Sequence, residues 1–193
     1  MGALVGCHAA TLGANKMRWE NDYNTALTNS SFVGDEEARQ AIRLSRSYWK
    51  SHPAYRQLHK LVRTDISEQL RSSIRLEVGN ANEESYLGIW FVEEAGQVRL
   101  CSNYAGPVDV VTCRDVTRIL YDQLWDQLEQ SQVWLLQSDG SRVHSVLDGT
   151  TFFVSIYRND RSHQFVTYAP DLTTGTTDHH GRIIKSILAF TKG

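Results

Sequence analysis

The spacing of apolar and polar positions changes several times along this chain of 193 residues, and each change marks a different kind of element. Residues 8–34 are polar, with Trp19, Tyr23 and Phe32 as scattered apolar anchors and no period, which reads as a tether or arm over 1–34. A single domain is expected over 35–193. Asp35, Glu36 and Glu37 suit a helix amino terminus, and Ala38, Ala41, Ile42, Ser45, Tyr48 and Trp49 then fall on one helical face. Pro53 ends or kinks that helix, and Tyr55, Leu58, Leu61, Val62, Ile66 and Leu70 predict a second helical stretch.

The period then shortens to two. Ile74, Leu76 and Val78 alternate with Arg75 and Glu77, the pattern of a half-buried strand, and Gly79-Asn80 turns the chain. Tyr86 to Val92 is a nearly continuous apolar run that fits a central strand, and Glu93-Glu94-Ala95-Gly96 connects it to a strand at Val98–Cys101. Thr112 and Asp115 have capping-box spacing, so a helix is expected to start there. Its apolar stripe is Val116, Ile119, Leu120, Leu124 and Leu128, with Tyr121 and Trp125 beside it.

Val133–Leu136, Arg142–Leu147, Thr151–Tyr157 and Gln164–Tyr168 read as a four-strand meander with turns at Ser138-Asp139-Gly140, Asp148-Gly149 and Asn159-Asp160. After Pro170 a loop of Thr, Gly, Asp and His leads to a closing helix with Ile183, Ile184, Ile187, Leu188 and Phe190. Runs of strands followed by helices, without regular βαβ alternation, predict an α+β fold. The expected form is an antiparallel meander sheet of about seven strands, covered on one side by about three or four helices.

Composition narrows the function classes. With 41% hydrophobic residues, five Trp and eight Tyr, the chain has enough apolar surface to bury on folding. Twenty basic residues against twenty-two acidic ones, dispersed along the chain, give no broad field for a phosphate backbone, so nucleic acid is not an expected partner. No apolar run reaches the length of about eighteen residues that a membrane-spanning helix needs.

Leu4-Val5-Gly6-Cys7 resembles the lipobox of bacterial lipoproteins: a branched residue, two small ones, then the Cys that receives lipid. The resemblance covers those four residues and implies lipidation at Cys7, a possible lipid anchor in place of a membrane span, and a periplasmic location. Met1-Gly2-Ala3 precedes the motif, where such a signal carries a basic and an apolar region, and a cytoplasmic protein is the alternative. Cys101 and Cys113 flank a loop with Gly106-Pro107 and are expected to form a disulfide in an oxidising compartment; the alternative is two small buried thiols in a reducing one.

Candidate chemistry concentrates in Thr173–Gly181, where Asp178, His179 and His180 stand beside Thr176 and Thr177. Imidazoles and carboxylates ligate metals and carry protons near neutral pH, yet adjacent His residues rarely face one ion without a ligand from elsewhere, and a solvated loop is the plainer reading. His144 and His163 are candidates for a proton-transfer pair with Asp148 or Asp160. His52 and His59 read as packing or surface groups. No nucleophile elbow, zinc-protease helix or phosphate-cradling loop occurs in the sequence, and no cofactor is expected.

The strand aromatics Trp90, Phe91, Trp134, Phe152, Phe153, Tyr157, Phe165 and Tyr168 read as core and cross-strand pairs, not as a ligand groove. The leading expectation is an envelope-associated protein-binding domain without catalysis of its own, of inhibitor or immunity type. A hydrolase with a non-standard His-containing site and a structural envelope component are the alternatives.

Overall fold

The computed structural model describes residues 36–65, 70–80, 85–104, 109–139 and 149–191, and among these two helices precede the sheet: α1 (Glu36–Ser51) and α2 (Pro53–Asp65). Proline suits the first position of a helix because its missing N–H would have no partner there. His52 closes the joint, its Nδ1 accepting from the Ala54 N–H at 3.2 Å. Four strands follow, β1 (Leu70–Asn80), β2 (Tyr86–Glu94), β3 (Gln97–Ser102) and β4 (Thr112–Val116). Then come α3 (Arg118–Gln130), a 3₁₀ turn at Val133–Leu135, β5 (Thr150–Arg158), β6 (Arg161–Tyr168) and α4 (His179–Ala189).

The strands form one antiparallel sheet in the order β4-β3-β2-β1-β5-β6, so the fold is α+β with β1 near the centre. Two hairpins turn on residues with positive φ, Ala95 (49°) with Gly96 (81°) and Asn159 (51°) with Asp160 (60°). Their sense of twist matches that of the flanking strands.

Several sequence expectations change. The described residues hold six strands: Val133–Leu135 is a 3₁₀ turn, and the predicted strand Arg142–Leu147 lies outside the described residues. Thr112–Val116 is a strand paired with β3 across Cys101↔Cys113, and the helix begins after it, with the Thr117 side chain accepting from the Leu120 N–H. The sheet ladder overrides the local capping pattern. The tether, and the side chains of Ala38, Ala41, Ile42, Ser45, Tyr48, Val62 and Ile66, lie outside what is described.

The helices cover both sides of the sheet. Ile74, Leu76 and Val78 of β1 join Ile89, Phe91, Val154, Ile156 and Phe165 in a large core beneath α3 and α4. The opposite face carries a second cluster of Trp49, Ala54, Leu58, Tyr86, Trp90, Cys101, Phe153 and Val166 beneath α1 and α2. A Cβ at Gly79 would overlap the Trp49 indole, and one at Gly88 would overlap Leu58 and the Tyr86 ring. These two glycines, near each other on β1 and β2, make the room in which Trp49 of α1 and Leu58 of α2 sit.

Candidate functional site

Two-sided covering buries the polar half of β1. Arg75 and Glu77, which alternation alone turns toward water, are 2% and 0% exposed and lie under α2. Burying a carboxylate is costly unless charges and donors surround it, and Glu77 has both. Tyr86 donates its hydroxyl to Glu77 Oε1 at 2.9 Å, the His59 Nε2 lies 3.2 Å from the same oxygen, and Arg75 Nε is 3.7 Å from Oε2. The Arg75 guanidinium also packs 4.9 Å from the Phe153 ring centre and 5.2 Å from that of Trp90.

Burial opposes ionisation of Glu77, but Arg75, the His59 hydrogen bond and Arg46 outweigh it and hold the carboxyl at about 2. Burial lowers His59 against the pull of Glu77, so at neutral pH it is the neutral imidazole, with Nε2–H donating to the carboxylate. Tyr55 is pushed up to about 12 by burial and by the Glu77 charge, and Tyr86 well above its ordinary value for the same two reasons. A carboxyl that low and phenols that high cannot exchange protons near neutrality, where an efficient acid or base should titrate. His59 remains, its ring tilted against Tyr55 at 3.9 Å and edge-on to Trp90 at 4.9 Å. The cluster is therefore built to join α2 to the sheet.

The residues singled out in the sequence take other positions. Asp178 caps α4, accepting from the His180 N–H at 2.9 Å and, through Oδ2, from the Asp171 N–H at 2.8 Å. His179 accepts from Arg182 at 2.9 Å, and His180 Nε2 donates to the Gln137 carbonyl at 2.7 Å. Among the described residues no group of three or more His, Cys, Asp or Glu is placed to hold a metal ion. His163 donates to the Leu136 carbonyl at 2.8 Å, and burial lowers its pKa. His163 and His180 thus fasten the same stretch of chain, while Asp160 takes the Tyr157 hydroxyl. His144, Asp148 and Cys7 lie outside the described residues.

The two edges of the sheet differ. The outer side of β6 is partly occupied: Asp139 bridges to Thr167, its N–H donating to the Val166 carbonyl at 2.8 Å, and Ser138 Oγ accepts from the Val166 N–H. Strand β4 is exposed at Thr112, Cys113, Arg114 and Asp115 and pairs only with β3 among the described residues. It is nevertheless well anchored. Cys101 and Cys113 are joined by a disulfide. Gln57 of α2 bridges the approach to β4, donating to the Asp109 carbonyl and accepting from the Val111 N–H, each at 3.1 Å. Arg114 reaches the carbonyls of Phe190 and Thr191 at the end of α4.

Six large apolar side chains are exposed among the described residues, and four of them flank this strand: Tyr104 and Val110 before it, Ile119 and Leu120 after it. The predicted stripe on α3 places Ile119 and Leu120 toward the core, and the structure exposes both. At about 100° per residue, the buried set Tyr121, Leu124, Trp125 and Leu128 leaves Ile119 on the far side of the helix. No family model matches the chain, and comparison with curated proteins finds no match.

Proposed function

We propose that this domain binds another protein by accepting an extended segment of it as a seventh strand beside β4. The supporting observation is the coincidence, among the described residues, of a strand paired on one side only with four of the six exposed large apolar side chains, Tyr104, Val110, Ile119 and Leu120. Backbone groups on an open edge supply hydrogen bonds, and flanking side chains supply selectivity. The disulfide and the Gln57 bridge hold this edge in place beforehand, which reduces the ordering cost of binding.

A second copy is a poor occupant. Two-fold pairing that overlaps the whole of Thr112–Val116 sets Arg114 opposite its own counterpart, and like charges directly opposed are destabilising. A strand with a carboxylate opposite Arg114 and apolar residues at its ends fits the edge better. The disulfide favours an oxidising compartment, and together with the lipobox-like Leu4–Cys7 it supports an envelope location with a lipid anchor.

A photo-crosslinking residue placed at Ile119 in cells producing the protein tests the reading. One recurrent protein partner is expected, captured from position 119 but not from exposed Leu172, and lost when Leu120→Glu is added. Ile119→Glu alone should alter stability by no more than about 0.5 kcal/mol, because the side chain is 71% exposed. Equal capture from both positions, or capture indifferent to Leu120→Glu, would remove β4 as the binding edge.

A further inference from the structure

The loop richest in polar residues lines a cavity. Between the end of α3, the middle of α4 and the turn at Gly175-Thr176 lies an open cavity of about 300 Å³, large enough for a small organic ligand. Its lining includes Arg182 and Lys185 and no acidic side chain. Gln127, Gln130, Ser131 and Ser186 complete its polar walls, and their side chains make no hydrogen bond to the described residues. Ser131, 9% exposed as a residue, is part of this lining.

The turn is internally braced. Asp171 accepts from the Thr173 N–H at 2.9 Å and from the Thr176 hydroxyl at 2.8 Å, and Thr176 Oγ1 in turn accepts from the Asp178 N–H at 3.1 Å. Gly175 takes φ of 76°, a conformation glycine adopts without a steric penalty. Lys185 spends one of its three donors on the Thr173 carbonyl at 2.7 Å, and Arg182 spends one of five on His179. The remaining ammonium and guanidinium donors are left for a ligand. The carboxyl end of α3 contributes about half a negative charge, which two full positive charges exceed.

We propose that this cavity binds a compact oxyanion, the phosphoryl or carboxylate group of a small metabolite, held by Arg182 and Lys185 with Ser131 and Ser186 as neutral donors. No residue of β4 is part of the lining, and the test does not depend on the protein-binding proposal. Amide shifts of Ser131, Gly175 and Ser186 would be followed by two-dimensional NMR during titration with glycerol 3-phosphate, with succinate, and with sodium chloride at matched ionic strength.

Saturable shifts at these three amides with glycerol 3-phosphate would support a phosphoryl ligand, and with succinate a carboxylate one. In either case Arg182→Gln should weaken binding about tenfold or more. Ser186→Glu, which puts a carboxylate into the cavity, should abolish binding while leaving the rest of the spectrum intact. Shifts that follow chloride alone, fail to saturate, or survive both substitutions unchanged would overturn the proposal.

Discussion

Glu77 shows how one side chain is determined by what surrounds it. It sits on β1 between Leu76 and Val78, and in a strand exposed on one face it would be an ordinary solvated acid. Here it is fully buried and accepts from Tyr86 and His59 while opposing Arg75. Replacing Glu77 with Gln keeps the shape but removes the negative charge that balances Arg75. Breaking one partner of a buried ion pair costs about 3–5 kcal/mol, so Glu77→Gln should lower unfolding stability by on the order of 3 kcal/mol in urea titrations. A loss below about 0.5 kcal/mol, the scale of a surface substitution, would show that the pair is not structural.

A second polar group, on the other face, joins β1, β2 and α3: the Ser72 hydroxyl donates to Glu93 and lies 2.9 Å from the Tyr121 hydroxyl, and Arg118 pairs with Glu93. Both groups sit where a helix crosses the sheet. Each carboxylate there receives donors from more than one element, so the contacts set which element lies against which.

Among elements, β4 is the clearest case of local and long-range preferences in conflict. Its sequence, Thr-Cys-Arg-Asp-Val, carries a plausible helix start, yet it pairs with β3 over Val98↔Val116 to Ser102↔Thr112. The disulfide closes the loop between the two strands and should contribute about 3 kcal/mol through the entropy it removes from the unfolded chain. Reduction is therefore expected to lower the urea midpoint with little change in slope. Exchange of the β1 amides, which open only with the whole domain, should then accelerate by the factor that this loss implies, on the order of a hundredfold. Acceleration confined to Arg114, with β1 unchanged, would indicate instead that the bond holds only the edge.

The helices α3 and α4 are more fully written in their own residues. Tyr121, Leu124, Trp125 and Leu128 on the one and Ile183, Ile184 and Ile187 on the other are buried at helical spacing, and Thr117 and Asp178 cap their starts. For the α1–α2 pair, the sequence predicts two helical stretches meeting at Pro53 and leaves their destination open. Nothing in a helix's own period says which face of a sheet it will cover.

Shifted groups in different parts of the fold make the stability of the molecule depend on pH. His59 and His163 have folded values below their ordinary 6.5, and Glu77 falls from 4.5 to about 2. In each case the unfolded chain binds the proton more readily than the native one, so stability falls as pH falls. The imidazole contribution is full above about pH 6.5 and is lost below it, whereas the Glu77 contribution is full above about pH 4.5 and is lost toward pH 2. Urea midpoints should thus drop from neutral pH downward. His59→Gln, which does not titrate, should flatten the upper part of that decline and leave the lower part. An unchanged profile in His59→Gln would place the upper step elsewhere.

Local order was readable without coordinates: the strand alternation at Ile74–Val78, the buried run at Tyr86–Val92, the turn at Asn159-Asp160, two amphipathic helices and the pairing of Cys101 with Cys113. Each depends on neighbours a few residues apart or on a short loop. The run at Tyr86–Val92 also held a signal for the second layer, since a strand apolar on both faces needs cover on both. Three-dimensional packing decided the rest. It put α1 and α2 over the face carrying Arg75 and Glu77, left β4 as an edge beside Ile119, and brought α3 and α4 together around Ser131 and Arg182. Period and capping act along the chain, whereas the burial of a charge and the openness of an edge depend on which distant element arrives.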